Sequence, residues 1–330
     1  MTEPALLQVR DLRVHFVLRR GLLAALMPGR EHRVRAVDGV DLDVAPGQIV
    51  ALVGESGSGK STTARAILRL VEPTGGKVSF AGTDVLSLRG RELHRYRRSA
   101  QIIFQDPYES LNPRQTVYAA VAEGLGVHGL ARTESERTTL ACRALYDAGL
   151  RPAENYLHRY PHELSGGQRQ RVVIAAALAL DPRFIIADEP VSMLDVSIRA
   201  DILKLLLDLR EKRGLSYILI THDLALAWLV ADRIAVMYLG KVLEEGPAEQ
   251  LIREPAHPYT QALLRVVPRP RQRKGKRLLL QGETPDPAHI PGGCRFHPRC
   301  PEADKMGKEE EPAFSSLGAD RKAACHRVRR

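Results

Sequence analysis

The chain has 330 residues, a formal net charge of +10, 44% hydrophobic residues and 27% charged residues. These values suit a folded water-exposed protein with one large core plus an appendage, or two modest domains. No apolar run approaches the ~18 residues of a membrane span; the best stretch, Leu22 to Met27, is short and bracketed by Arg20 and Arg30. No basic start, apolar stretch and cleavage site mark a secretory signal, so any membrane association is expected to come through partners. A basic balance fits either nucleic acid or a solvated surface around a nucleotide site. The densest basic run, Arg269 to Arg277, lies in a Pro-bearing linker without interleaved aromatics and does not read as a stacking platform.

In chain order, the alternation of Leu7, Val9, Leu12, Val14 and Phe16 predicts a strand over 6–17. A polar insertion, Arg19 to Arg33, precedes a second strand over Val34 to Val44, and Pro46-Gly47 makes a turn. Gln48 to Val53 is a short apolar run of the kind buried on both faces of a parallel sheet. A helix is predicted over Thr62 to Val71, stopped by Pro73 and Gly75-Gly76. Residues 96–163 take on helical periodicity, most clearly Glu134 to Gly149, and read as a helical insertion into an α/β core. Arg183 to Asp188 and Tyr217 to Thr221 predict two further buried strands, each followed by a helix. Ile234 to Leu239 and Lys241 to Glu245 predict a hairpin at Gly240. Beyond about residue 255 the composition turns to Pro, Arg and Gly, marking a C-terminal extension. The domain expectation is a core over 1–95 and 164–255, a helical subdomain over 96–163 and an extension over 256–330.

Three groups of residues point to chemistry. Gly54-Glu55-Ser56-Gly57-Ser58-Gly59-Lys60-Ser61, followed by Thr62, matches a phosphate-binding loop between a buried strand and a helix. Its glycines let the backbone curl around phosphate, its N–H groups and the helix start face negative charge, Lys60 reaches the β- and γ-phosphates, and Ser61 ligates Mg²⁺. The alternative is a Gly-rich turn with a surface lysine. Phe184 to Asp188 is an apolar strand ending in the carboxylates Asp188 and Glu189. Asp188 is expected to hold Mg²⁺ and Glu189 to polarise an attacking water; His222, after the Tyr217 to Thr221 strand, is expected to hold that water and touch the γ-phosphate. Leu164-Ser165-Gly166-Gly167-Gln168 opens the helix Arg169 to Leu180. Ser165 stands at the N-cap and two glycines expose backbone donors at a positive helix end, making a second anion site. Two phosphate cradles for one nucleotide make sense if ATP is sandwiched between two subunits.

Taken together, these motifs resemble the ABC ATPases over about residues 6 to 265, in the expected order. The resemblance makes Gly54 to Ser61 the Walker A loop, Gln105 the Q-loop glutamine that touches Mg²⁺, Leu164 to Gln168 the signature, Phe184 to Glu189 the Walker B strand with its catalytic glutamate, and His222 the switch histidine. Ser192-Met193-Leu194-Asp195 is similar to the D-loop, with Met193 where alanine is usual. Ala176 replaces a common arginine. The implied fold is α/β, a P-loop NTPase core with a RecA-like mixed sheet and antiparallel β edge, an inserted helical subdomain and a Cys-containing C-terminal extension. An adenine-stacking aromatic is expected near the first strands, with Phe16 either that aromatic or ordinary core.

Ala36-Val37-Asp38-Gly39-Val40, Gln105-Asp106-Pro107, Ser110-Leu111-Asn112-Pro113-Arg114, Tyr160-Pro161-His162-Glu163-Leu164 and His257-Pro258-Tyr259-Thr260 are similar to oligopeptide/dipeptide importer ATPases, and Gln168 to Arg171 with Pro190-Val191-Ser192 to the second ATPase of such pairs. The resemblance implies ATP hydrolysis with Mg²⁺ driving uptake of peptides or a similar solute. It also implies a heterodimer with a second ABC ATPase on two membrane permease subunits, an extracytoplasmic solute-binding protein, and residence at the cytoplasmic face of the membrane. No nucleic acid is expected. The competing reading, a nucleic-acid-associated ABC ATPase, draws on the positive charge but lacks a long coiled-coil insertion and a second cassette; an exporter motor lacks the subfamily motifs.

Cys142 stands alone, while Cys294, Cys300 and Cys325 cluster near the C-terminus and suggest metal binding more than disulfides. In the resembled family this region often carries four cysteines and an iron–sulfur cluster. The spacing puts the missing one near Gly307. An iron–sulfur or zinc site would need His297, His326 or an exogenous ligand; the alternative is a fold held by packing.

Overall fold

The computed structural model describes residues 5–18, 32–266, 282–318 and 320–329. Leu22 to Met27 and Arg269 to Arg277, with most of the Arg19 to Arg33 insertion, lie outside the described residues. The chain divides into two compact units.

One unit comprises 44–49 and 87–220. Its sheet is parallel: Ala100–Ile103 pairs with Phe184–Asp188, which pairs with Ser216–Thr221. Every residue of the last two strands is buried, which is why they are continuous apolar runs rather than alternating ones. The helices Val117–Val127, Glu134–Asp147 and Gly166–Leu178 pack on one another. Each has a side-chain cap, from Thr116, Thr133 and Ser165 respectively. The 96–163 stretch thus contains the helices expected of it, but also the strand Ala100–Ile103. Four residues are too few for a strand period to stand out, and ladder pairing with Phe184–Asp188 decides the conformation.

The other unit comprises 5–43, 50–86 and 221–330. An antiparallel sheet runs in the order His32–Val44, Leu7–Leu18, Gly75–Phe80, Thr83–Asp84. A second set joins Ile49–Val53 in parallel to Arg233–Tyr238, which turns at Leu239-Gly240 into antiparallel Lys241–Pro247. Lys241–Pro247 also pairs with Lys322–Ala323. The C-terminal residues therefore add to the sheet edge. They also share its core: Tyr259 and Phe296 are fully buried among Ala51, Val53, Tyr238 and Leu251.

The first helix is Lys60–Ile67, not Thr62 to Val71. It begins earlier because left-handed Gly59 caps it, and ends earlier because Arg69 takes φ 52°. Arg69 N–H then donates to Ala66 and Leu70 N–H to Arg65, the paired closure of a helix usually made with glycine. Arg69 tolerates it because its guanidinium is buried and donates to the Val85 carbonyl and to Glu72.

Candidate functional site

In the 221–330-containing unit, the loop Gly54 to Ser61 follows the buried Ile49–Val53 strand. It is folded around its own lysine. Lys60 is 5% exposed, and its ammonium donates to the Gly54 and Glu55 carbonyls at 2.8 Å each and to Ser58 Oγ at 3.3 Å. Two glycines are sterically required: a Cβ at Gly54 would lie 2.1 Å from the Met237 carbonyl oxygen, and one at Gly59 2.1 Å from that of Ala36. Gly240 N–H donates to the Ser58 carbonyl at 2.8 Å, and Thr63 Oγ1 to that of Gly59 at 3.0 Å. Ser56 and Gly57 form the exposed tip; Ser61 and Thr62 open the helix, partly exposed. This donor-rich loop at a helix start, with a lysine on its inner side, fits a phosphate chain.

Glu55 is held from several sides. Its carboxylate accepts from Arg299 at 2.6 and 3.2 Å and from Thr284 Oγ1 at 2.7 Å, and its N–H donates to Tyr259 Oη at 2.9 Å. Burial opposes its ionisation, but the Arg299 and Thr284 hydrogen bonds and the charges of Arg299 and Lys60 outweigh this and keep its carboxyl below the usual value. Thr284, Arg299 and the Tyr259 contact were missed by sequence reasoning. They lie 204 to 244 residues from Glu55, and no local pattern announces them. In the same unit, Asp223 accepts from Ala225 and Leu226 N–H and caps Leu224–Val230. His222, exposed, stands just before that helix. Phe16 is 42% exposed on its strand and so is not core.

In the other unit, Asp188 ends the Phe184–Asp188 strand and is buried. Glu189 follows at φ 46°, a left-handed conformation that a non-glycine residue adopts at a cost and that clusters at functional sites. Its N–H donates to the Ile220 carbonyl at 3.0 Å, and the Glu189 carbonyl accepts from Ser192 Oγ at 3.1 Å, which fix the twist. Gln105 Nε2 donates to Glu189 Oε2 at 3.2 Å, so the structure brings these two residues together. Ser165 Oγ accepts from Gln168 N–H, and Gln168 Oε1 accepts from Ser165 N–H at 3.0 Å, a reciprocal cap. Gly166 begins the helix at a position within contact distance of Leu194, and a Cβ at Gly167 would meet Ile198 at 2.7 Å. Asp195 precedes Val196–Arg213 without capping it and is exposed, as are Met193 at 58% and Val196 at 80%.

The cysteines do not fit a metal. Among the described residues, no group of three or more His, Cys, Asp or Glu is placed to hold one. Cys294, Cys300 and Cys325 are free. Burial pushes all three thiols up. Of the two histidines that could complete a set, His297 has Nδ1 3.0 Å from the Cys294 carbonyl oxygen and His326 has Nε2 2.9 Å from that of Glu310. Gly307, whose carbonyl accepts from Cys294 N–H, offers no side chain.

The family model described as ABC transporter matches residues 37–192, and that of the oligopeptide/dipeptide transporter C-terminal region matches 243–306. A putative peptide import ATP-binding protein of Brucella ovis is 47% identical over 328 residues, 99% of each chain. The oligopeptide transport ATP-binding protein AppF of Bacillus subtilis is 44% identical over 328 residues, 98% of each chain. Among solved structures, a dimeric post-hydrolysis state of the ATP-binding cassette MJ0796 bound to ADP and Pi has a TM-score of 0.63 and 32% identity, covering 73% of this chain and 98% of that one. CbiO1 from Clostridium perfringens, part of the transporter complex cbiONQ, has a TM-score of 0.64 and 28% identity, covering 76% and 92%.

Proposed function

This chain belongs to the ABC transporter ATP-binding family and carries the oligopeptide/dipeptide-type C-terminal region, and from that premise we propose that it is the ATP-hydrolysing motor of a peptide importer. The observation that carries the nucleotide chemistry is Lys60, buried at the centre of a loop whose glycines cannot carry a side chain. Lys60 and the loop N–H groups take the β- and γ-phosphates. Phe16, exposed near the first strands, takes the adenine. Ser61, Asp188 and Gln105 would hold Mg²⁺, which would supply charge neutralisation at the phosphate oxygens. Glu189 accepts the proton of the attacking water. Its carboxylate accepts a hydrogen bond from Gln105. His222 steadies the γ-phosphate side.

Ser165, Gly166, Gly167, Gln168 and Asp195 act toward a partner. The Ser165 helix start is capped within the chain, while Asp195 does not cap its helix and the neighbouring Met193 and Val196 face solvent. We assign this surface to a second ABC ATPase, in a heterodimer that sandwiches ATP. Two permease subunits hold the pair at the cytoplasmic face of the membrane, and a solute-binding protein supplies the peptide. The core is divided as 1–95 with 164–255, the helical subdomain as 96–163 and the importer-type extension as 256–330. No helix of the described residues is long and apolar enough to cross a membrane.

The test is co-purification from native membranes followed by reconstitution in vesicles. Two permeases and a second ATPase should be recovered, and added binding protein with peptide should stimulate ATP hydrolysis and uptake together. Recovery only with RNA, DNA or ribosomes would discard the transport reading in favour of a nucleic-acid-associated ATPase.

A further inference from the structure

We propose that Arg299 is a positioning residue for the phosphate loop, so that the C-terminal region sets the affinity for ATP. This rests on the reading of Gly54 to Ser61 as the phosphate cradle. Glu55 is the second residue of that loop, and each of its polar groups is engaged. Its carbonyl accepts from Lys60 and from Ser58 N–H. Its N–H goes to Tyr259 and its carboxylate to Arg299 and Thr284. All three of the last side chains come from the C-terminal region.

A second strut runs from the same short turn. Arg295, four residues before Arg299, donates to the Leu239 carbonyl and pairs with Asp38. The next residue, Gly240, donates to the Ser58 carbonyl at 2.8 Å and accepts from Asp38 N–H at 2.9 Å. One turn, Arg295 to Arg299, therefore grips the loop at Glu55 directly and at Ser58 through Gly240. Phe296, between them, is fully buried against Tyr238 and Tyr259, which fixes the spacing of the two arginines.

The charge arrangement explains why the contact is needed. A carboxylate inside a polyanion site repels its ligand. Arg299, whose side chain is 6% exposed, neutralises Glu55 and draws its carboxylate to itself by a two-pronged contact. Without Arg299 the loop would gain an unpaired negative charge and lose the anchor that holds the Glu55 carbonyl on Lys60.

The test measures ATP hydrolysis by the full chain assembled with its partner subunits, alongside binding of a fluorescent ATP analogue and thermal unfolding. Arg299→Met should raise the KM and the analogue Kd about tenfold or more, with a much smaller change in kcat. Adding Glu55→Gln should recover most of that loss, because the repelling charge goes with it. Arg299→Lys, which keeps the charge but not the fork, should fall between. If Arg299→Met does not fold, the Arg299→Lys and Arg299→Lys/Glu55→Gln pair carries the same comparison. A KM within twofold of the native value, or no recovery in the double variant, overturns the proposal. Lys60→Ala separates the two readings. If it binds ATP normally, the loop is not the phosphate cradle; if it loses ATP while Arg299→Met does not, the loop reading stands and only the role of Arg299 falls.

Discussion

The phosphate loop and the Ser165 to Val196 region are finished to different degrees. Around Gly54 to Ser61 the two charged side chains have partners within their own unit: Lys60 is buried on two carbonyls, and Glu55 is locked by Arg299, Thr284 and Tyr259. Around Ser165 the helix start is capped within the chain, but the side chains around Asp195 stop at solvent, with Met193 and Val196 the most exposed apolar groups of the stretch. A rigid cradle can bind a nucleotide alone, since its geometry is set before the ligand arrives. A capped helix start beside bare apolar side chains has anion-binding potential and a surface that is costly to leave in water. In the heterodimer proposed above it is completed by another protein. The difference teaches which half of the chemistry this chain carries alone and which half needs a partner.

Three variants sharpen that contrast, in order of expected effect. Glu189→Gln should lower kcat by about 10²–10⁴ while ATP binding persists, because only proton acceptance is lost; steady-state hydrolysis beside equilibrium binding measures both. Native-rate turnover would remove Glu189 from the role of base. Gly59→Ala strikes the finished side. Its Cβ would meet the Ala36 carbonyl oxygen and must take φ 104°, a backbone cost of about 1–3 kcal/mol before the collision is counted. A lowered melting temperature together with lost ATP binding is expected, and a normal loop in this variant would contradict the tight fit. Ser165→Ala combined with Val196→Asp strikes the open side. It should weaken ATP-dependent association with the second ATPase by about tenfold, an N-cap loss of ~1 kcal/mol accounting for part. ATP binding by the isolated chain should hardly move. Sedimentation with and without ATP reads the first, and fluorescence titration the second. Equal loss of both would erase the distinction between the two regions.

Much of the site was legible in the sequence for a physical reason. Phosphate loops, strand-end carboxylates and N-caps are local solutions, with their residues contiguous. Phe184 to Glu189 could be read as a strand ending in charge because burial on both faces leaves no room for a carboxylate earlier. The cap at Ser165 could be read from Ser-Gly-Gly-Gln, and the reciprocal bond to Gln168 follows that spacing. What stayed hidden is non-local. Nothing near Gly54 announces Arg299, and nothing in the extension's polar composition announces that Phe296 is core. The closure of the first helix at Arg69 was hidden too, since an arginine takes the place of glycine there and is held by Val85 and Glu72 from outside the helix. The cysteines show the reverse failing. Their spacing suggested a metal, yet among the described residues no group of three or more His, Cys, Asp or Glu is placed to hold one.

Acid should separate the two regions as well, by a smaller margin. His257 is fully buried in the C-terminal region that holds Glu55, and burial lowers its pKa to about 3. It is neutral, with Nδ1 accepting from Tyr259 N–H at 3.0 Å and the ring packed against Phe296. The charged groups nearest it are Glu244, which accepts the His257 N–H, and Arg321, paired with Glu244. An unfolded histidine takes its proton near pH 6.5, whereas this one resists until about 3. Between those values the unfolded chain binds more protons, so stability falls as pH falls, by up to about 1.4 kcal/mol per unit. Above pH 6.5 this contribution is constant. Chemical denaturation at pH 7.5, 6.5 and 5.5 should show a loss concentrated in the last step. Hydrogen exchange at pH 5.5 should show it first at Tyr259, Phe296 and the Gly54 to Ser61 loop, and later at the helix after Ser165. His257→Gln should flatten the profile; if the native slope survived that change, the acid sensitivity would belong to another group.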